Sequence, residues 1–159
     1  MRHLGLIFAA AAVVGLAIAC TSASNADKST DTGSATASEQ LIQSGTAGAV
    51  EVEARWLAAG DVPSGFDLAR YPPEKYWLLD VKLDTHSGDL GSIDLRASTQ
   101  LTVGTTTQDP LAWVSGKDDS HHREGVLVFE GGDETGPVQL VLRLPDGDIP
   151  LLWANSPGT

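Results

Sequence analysis

The side chains with the most chemistry to offer are three histidines in two short motifs, Asp84-Thr85-His86-Ser87 and His121-His122-Arg123. The second motif follows the acidic run Lys117-Asp118-Asp119-Ser120. Imidazole nitrogens combined with carboxylate oxygens suit Cu(II), Zn(II) or Ni(II), and copper or zinc is the ion expected in an exported protein. His86 plus one or both of His121 and His122, completed by Asp84 or Asp119, would supply that set if the two motifs meet at one end of the fold. There is no HExxH and no tight ligand spacing, so such a site depends on tertiary contact. The same residues carry a mechanical reading. Asp84 would accept a hydrogen bond from one histidine, and Arg123 would bridge Asp89 or Asp94, so that the motifs brace two loops. Catalysis has less behind it. The chain has no GxSxG, no phosphate-cradling glycine loop and no paired carboxylates recognisable from spacing. Ser87 beside His86 is not a triad, because neighbours in a strand face apart.

The elements that must position these groups are strands. Val50, Val52, Ala54 and Trp56 alternate with Glu51, Glu53 and Arg55, the signature of a strand with one buried face. From Lys75 to His86, Trp77, Leu79, Val81 and Leu83 fall on one face, with Asp80, Lys82, Asp84 and His86 on the other. His86 is therefore expected at the polar end of its strand, not in the core. Further β-rich segments are expected over 98–105, 111–114, 125–129, 138–144 and 150–153, separated by turn residues such as Gly131-Gly132-Asp133 and Pro145-Asp146-Gly147-Asp148. Seven short strands in about a hundred residues predict an antiparallel β-sandwich of immunoglobulin-like type. Phe66 to Arg70 is the one place for a helical turn, stopped by Tyr71-Pro72-Pro73. Trp56, Trp77, Trp113 and Trp153 are expected in the core, with Trp113 at the edge of the histidine site. His121 and His122 fall at a strand entrance, where only a loop or bulge lets adjacent side chains reach one ion.

Before this domain stands a segment of different character. Arg2 opens a short basic start, an unbroken apolar run follows, and Ala17 and Ala19 precede Cys20, the one cysteine of the chain. This order is that of an export signal, too short for a comfortable bilayer span. Leu16-Ala17-Ile18-Ala19-Cys20 resembles a lipobox, with Ala17 where Leu is commonest. Residues 1–19 are thus expected to be a lipoprotein signal peptide, and Cys20 the lipidated first residue of the mature chain. Two or three acyl chains on one cysteine hold a membrane stably, whereas one does so only marginally. From residue 20 to residue 48 the composition is Ser, Thr, Ala, Gly and Asp, which reads as a disordered tether ahead of a β-sandwich domain at 49–159.

Charge narrows the partners. The chain has 10 basic and 21 acidic residues, a formal net charge of −11, and loss of the signal would remove Arg2 but no acid. Such a balance argues against nucleic acid, which needs clustered Lys and Arg, and against electrostatic docking on anionic lipid. Acidic turns at Asp133-Glu134 and Asp146-Gly147-Asp148 lack the loop pattern of a strong calcium site. With Cys20 lipidated no thiol remains for a disulfide or a thiolate metal site.

The pairing of Asp84-Thr85-His86-Ser87 with His121-His122-Arg123-Glu124-Gly125 resembles a family of uncharacterised secreted or lipid-anchored prokaryotic β-domains. In that family an Asp-Thr-His-Ser segment precedes a His-His-Arg-x-Gly segment. Gly88 and Ser120 depart from its usual Val and Gly. The resemblance implies one β-rich domain from Val50 to Trp153 and makes the two motifs the place to look, without implying an activity. Two functions fit these residues. One is a membrane-anchored envelope lipoprotein binding copper or zinc; the other is a non-enzymatic interaction module for an envelope protein partner, with structural histidines.

Overall fold

The computed structural model describes residues 41–156 apart from 59. Cys20, the expected signal segment and the expected tether up to residue 40 lie outside them. Within the described residues the strands run in chain order β1 (Ile42–Ala47), β2 (Val50–Trp56), β3 (Tyr76–Thr85), β4 (Thr99–Val103), β5 (Thr106–Gln108), β6 (Ala112–Asp118), β7 (His122–Glu130), β8 (Val138–Leu144) and β9 (Gly147–Trp153). A 3-10 turn at Leu90–Ser92 and a single helical turn, α1 (Leu95–Ser98), join β3 to β4.

These strands make two antiparallel sheets. The larger has the order β1-β2-β3-β7-β6 and the smaller β5-β4-β8-β9. Period-two patterning sends one set of side chains from each sheet into a shared core. Val50, Val52, Ala54, Trp56, Leu79, Val81, Leu83, Leu127 and Phe129 of the larger sheet pack with Leu101, Val103, Leu140, Leu142, Ile149, Leu151 and Trp153 of the smaller. Trp56 sits edge-on to Trp77 and to Trp153, ring centroids 6.1 Å apart in both pairs, which ties the two sheets together. The all-β antiparallel sandwich expected from periodicity is the fold found.

Three details depart from expectation. The strand order is not that of an immunoglobulin domain, in which the second and third strands belong to different sheets; here β1, β2 and β3 are neighbours in one sheet. The segment read as tether also overran the domain boundary, because Ile42–Ala47 is a strand in register with β2 from Ile42↔Arg55 to Ala47↔Val50. Its polar side chains gave no core signal, and backbone pairing around the Gly48-Ala49 turn holds it instead, with Gly48 at φ 58°. Thirdly, the strand expected over 98–105 is the shorter β4, Thr99–Val103, and β5 follows it as a further strand. Asp94 caps α1 through the Arg96 and Ala97 amides, and Gly104, at φ 57°, turns β4 into β5.

The connection from β2 to β3 folds back over the outer face of the larger sheet, packing Val62, Phe66 and Tyr71 against Leu57, Leu78, Val126 and Val128. Full burial of an aliphatic side chain such as Leu78 or Val128 stabilises by about 1.5–3 kcal/mol. As a result β3 is buried on both faces near its middle, and Asp80, expected on a solvated face, is only 7% exposed.

Candidate functional site

Strand pairing brings the two histidine motifs together. Asp84 on β3 is the register partner of His122 on β7. Beyond that rung, the Thr85 amide donates to the His121 carbonyl at 3.0 Å and the Leu90 amide to the Ser120 carbonyl at 2.8 Å. Convergence at one end of the sandwich, which the spacing left conditional, is thus supplied by the β3/β7 ladder.

Side chains at this end are engaged with one another and with the backbone. His122 Nδ1 is hydrogen-bonded to Asp84 Oδ1, and both side chains are about half exposed. His121 Nδ1 lies 3.2 Å from the Ser120 hydroxyl. Asp119 Oδ1 accepts the backbone N–H groups of His121, at 2.9 Å, and of His122, at 2.7 Å, while Lys117 Nζ stands 3.5 Å from Oδ2. The two backbone donors, His121 first, hold the Asp119 carboxyl below its ordinary range, with Lys117 adding to the effect. His86 is exposed at the end of β3. Among the described residues, no group of three or more His, Cys, Asp or Glu side chains is arranged to hold one metal ion.

Arg123 was expected to bridge Asp89 or Asp94 and does neither. It shares inward parity with Leu127 and Phe129 on β7, which carries its guanidinium under the 3-10 turn and leaves the residue 6% exposed. There Nη1 donates to the carbonyls of Leu90, at 3.0 Å, and Ile93. Nη2 donates to Asp118 Oδ2 at 3.3 Å, and Nε lies 2.6 Å from Asp118 Oδ1 as an ion-pair contact, not an aligned hydrogen bond. The guanidinium carbon also sits 5.8 Å from the Trp113 ring centre. Asp89 and Asp94 serve their own turns, accepting the Gly91 amide at 2.8 Å and the Arg96 amide at 3.0 Å respectively. The loop between β3 and β4 is therefore braced by Arg123 through its carbonyls, not through its carboxylates.

Two further residues of the motifs, Thr85 and Gly125, complete the clasp. Thr85 is 4% exposed, and its hydroxyl lies 3.0 Å from the Ala49 carbonyl and 2.6 Å from the Ser87 carbonyl while accepting the Ser87 amide. Its position between outward-facing Asp84 and His86 was the available signal, since parity alone sends it inward. Gly125 is the other. A Cβ there would stand 2.5 Å from the Val114 carbonyl and 2.9 Å from Trp113 Cη2, so glycine lets the indole lie across β7.

This end of the sandwich has its Asp84 and Asp119 carboxylates engaged as acceptors and its Arg123 side chain enclosed. It can hold four chain segments, the β1–β2 turn, the end of β3, the 3-10 turn and the β6–β7 turn, in fixed relation. Comparison with protein-family models, with curated proteins and with solved structures finds no match for the chain.

Proposed function

We propose that this protein is a cell-envelope lipoprotein, anchored through lipidated Cys20, whose β-sandwich is a non-enzymatic module that binds another envelope component. In this reading the histidine motifs are a structural clasp. The observation that carries it is the internal engagement of the motif's acceptors: Asp84 on His122, Asp119 on two backbone amides, and Asp118 on buried Arg123. A clasp of this kind keeps the loops at one end of a sandwich rigid, which lowers the ordering cost of any partner docked on the neighbouring surface.

Copper or zinc binding is the second reading, favoured by the meeting of the two motifs and by exposed His86 and His121 flanking the Asp84–His122 pair. Titration calorimetry with Cu(II) and Zn(II), on wild type, His86→Ala and His121→Ala/His122→Ala, separates the two. The clasp predicts no one-to-one binding heat and a lowered melting temperature in the double variant. Micromolar one-to-one binding that disappears in both variants would replace it with envelope metal handling.

A further inference from the structure

A second feature lies away from the histidines, on the outer face of the larger sheet. Asp80 alternates with inward-facing Leu79 and Val81 on β3, so its carboxylate points outward, beneath the β2–β3 connection. Its side chain is 8% exposed. Oδ2 accepts only a long 3.5 Å hydrogen bond from Arg55 Nη2, whose side chain is itself 37% exposed, and Oδ1 is buried with no partner. A desolvated carboxylate oxygen without a donor is costly, and such atoms are rare enough in folded proteins to require a reason.

The reason is supplied by what stands over it. Asp80 lines a cleft of about 350 Å³, which lies within the range of roughly 300–1,000 Å³ typical of small-ligand pockets. Pro63, Phe66, Val114 and Val126 give it an apolar lining, and Lys117 and Glu124 line it as well. A cation on an apolar stem would supply the donor that Asp80 Oδ1 lacks while its stem packs against the apolar part of the lining. Oδ1 itself is buried, so binding requires the exposed turn Pro63-Ser64-Gly65 at the rim to move aside.

We propose that this cleft binds an ammonium group carried on a short aliphatic stem, with Asp80 Oδ1 as its acceptor and Phe66, Val114 and Val126 packed around the stem. The inference rests on the reading of the domain as a binding module and deepens it by naming the chemistry recognised. The ammonium belongs either to a free amine or to a lysine side chain of a partner polypeptide.

The test is a ¹H–¹⁵N NMR titration of the full chain in neutral detergent with three probes: n-butylammonium, its neutral isostere 1-butanol, and Nα-acetyl-lysine N-methylamide. Saturable shifts should centre on Gly65, Phe66, Gly116 and Gly125 with n-butylammonium and be lacking with 1-butanol. Affinity should fall at least tenfold in Asp80→Asn. It should also fall in Ser64→Leu, which narrows the mouth from an exposed turn and does not touch the core. Tighter binding of the lysine amide than of n-butylammonium identifies a polypeptide as the source; the reverse identifies a free amine. The proposal is overturned by lack of saturable shifts, by equal binding of 1-butanol, or by unchanged affinity in both variants. Any of these leaves the module reading standing, whereas one-to-one copper or zinc binding bears on that reading alone.

Discussion

Replacing Arg123 with alanine is the most demanding trial of the clasp. The guanidinium donates to two carbonyls, Leu90 and Ile93, and pairs with Asp118. A hydrogen bond to a charged group contributes about 1.5–3 kcal/mol, and taking the lower figure for each of two carbonyls gives about 3 kcal/mol. The Asp118 pair adds little, because its carboxylate is 44% exposed and solvent screens it. Loss of the aliphatic stem beside Trp113 adds about 1 kcal/mol, so the expected total is about 3–4 kcal/mol. In a domain of this size that corresponds to a melting temperature lower by roughly 12–16 °C. Urea denaturation followed by tryptophan fluorescence, with thermal melting alongside, measures both quantities. Arg123→Lys keeps the charge but loses the planar fork, and should recover no more than about half of the loss. A loss below about 0.5 kcal/mol in Arg123→Ala, the size expected of a surface change, would refute the assignment of Arg123 as the brace of the β3–β4 loop.

Two smaller perturbations test neighbouring parts of the argument. The Asp119 carboxyl is held below its ordinary range in the folded state, so its contribution is fully present above about pH 4, the unfolded value, and is lost as pH falls toward the folded value. Asp119→Asn keeps an acceptor for the His121 and His122 amides without titrating. Wild type should therefore lose more stability than Asp119→Asn between pH 6 and pH 3 in urea melts, and equal losses would show that the turn does not depend on the charge. At the other sheet junction, a Cβ at Gly45 would stand 2.6 Å from Ile149 Cγ2. Gly45→Val should therefore cost about 1–3 kcal/mol by overpacking β1 against β9, and a neutral result by thermal melting would mean that β1 is not seated on β9.

Much of the architecture was legible in the chain because burial in a sandwich follows strand parity. Val50, Val52, Ala54 and Trp56 had to share a face, as did Trp77, Leu79, Val81 and Leu83, and those faces are the core. The same parity placed Asp84 and His86 outward and marked both histidine motifs as polar strand ends. Nothing local marked β1, whose six residues are fixed by pairing with β2 and by contact with β9 rather than by an apolar pattern of their own. Nor could spacing decide the strand order, because which strands become neighbours depends on how the connections cross from sheet to sheet.

For the site, the division falls in the same place. Residue type and periodicity determined that Asp84, His122, Asp119 and Arg123 had to be considered together. Only the β3/β7 register turned two motifs 38 residues apart into one hydrogen-bonded rung at Asp84 and His122. Asp80 shows the limit most plainly. Alternation put it on a polar face, and that is the face it occupies, but a long connection carrying Val62, Phe66 and Tyr71 lies over that face and removes it from water. Sequence pattern determines which way a side chain points from its strand. What waits there, solvent, a loop or a partner group, is decided by chain segments distant in sequence, since burial is a property of the assembled surface.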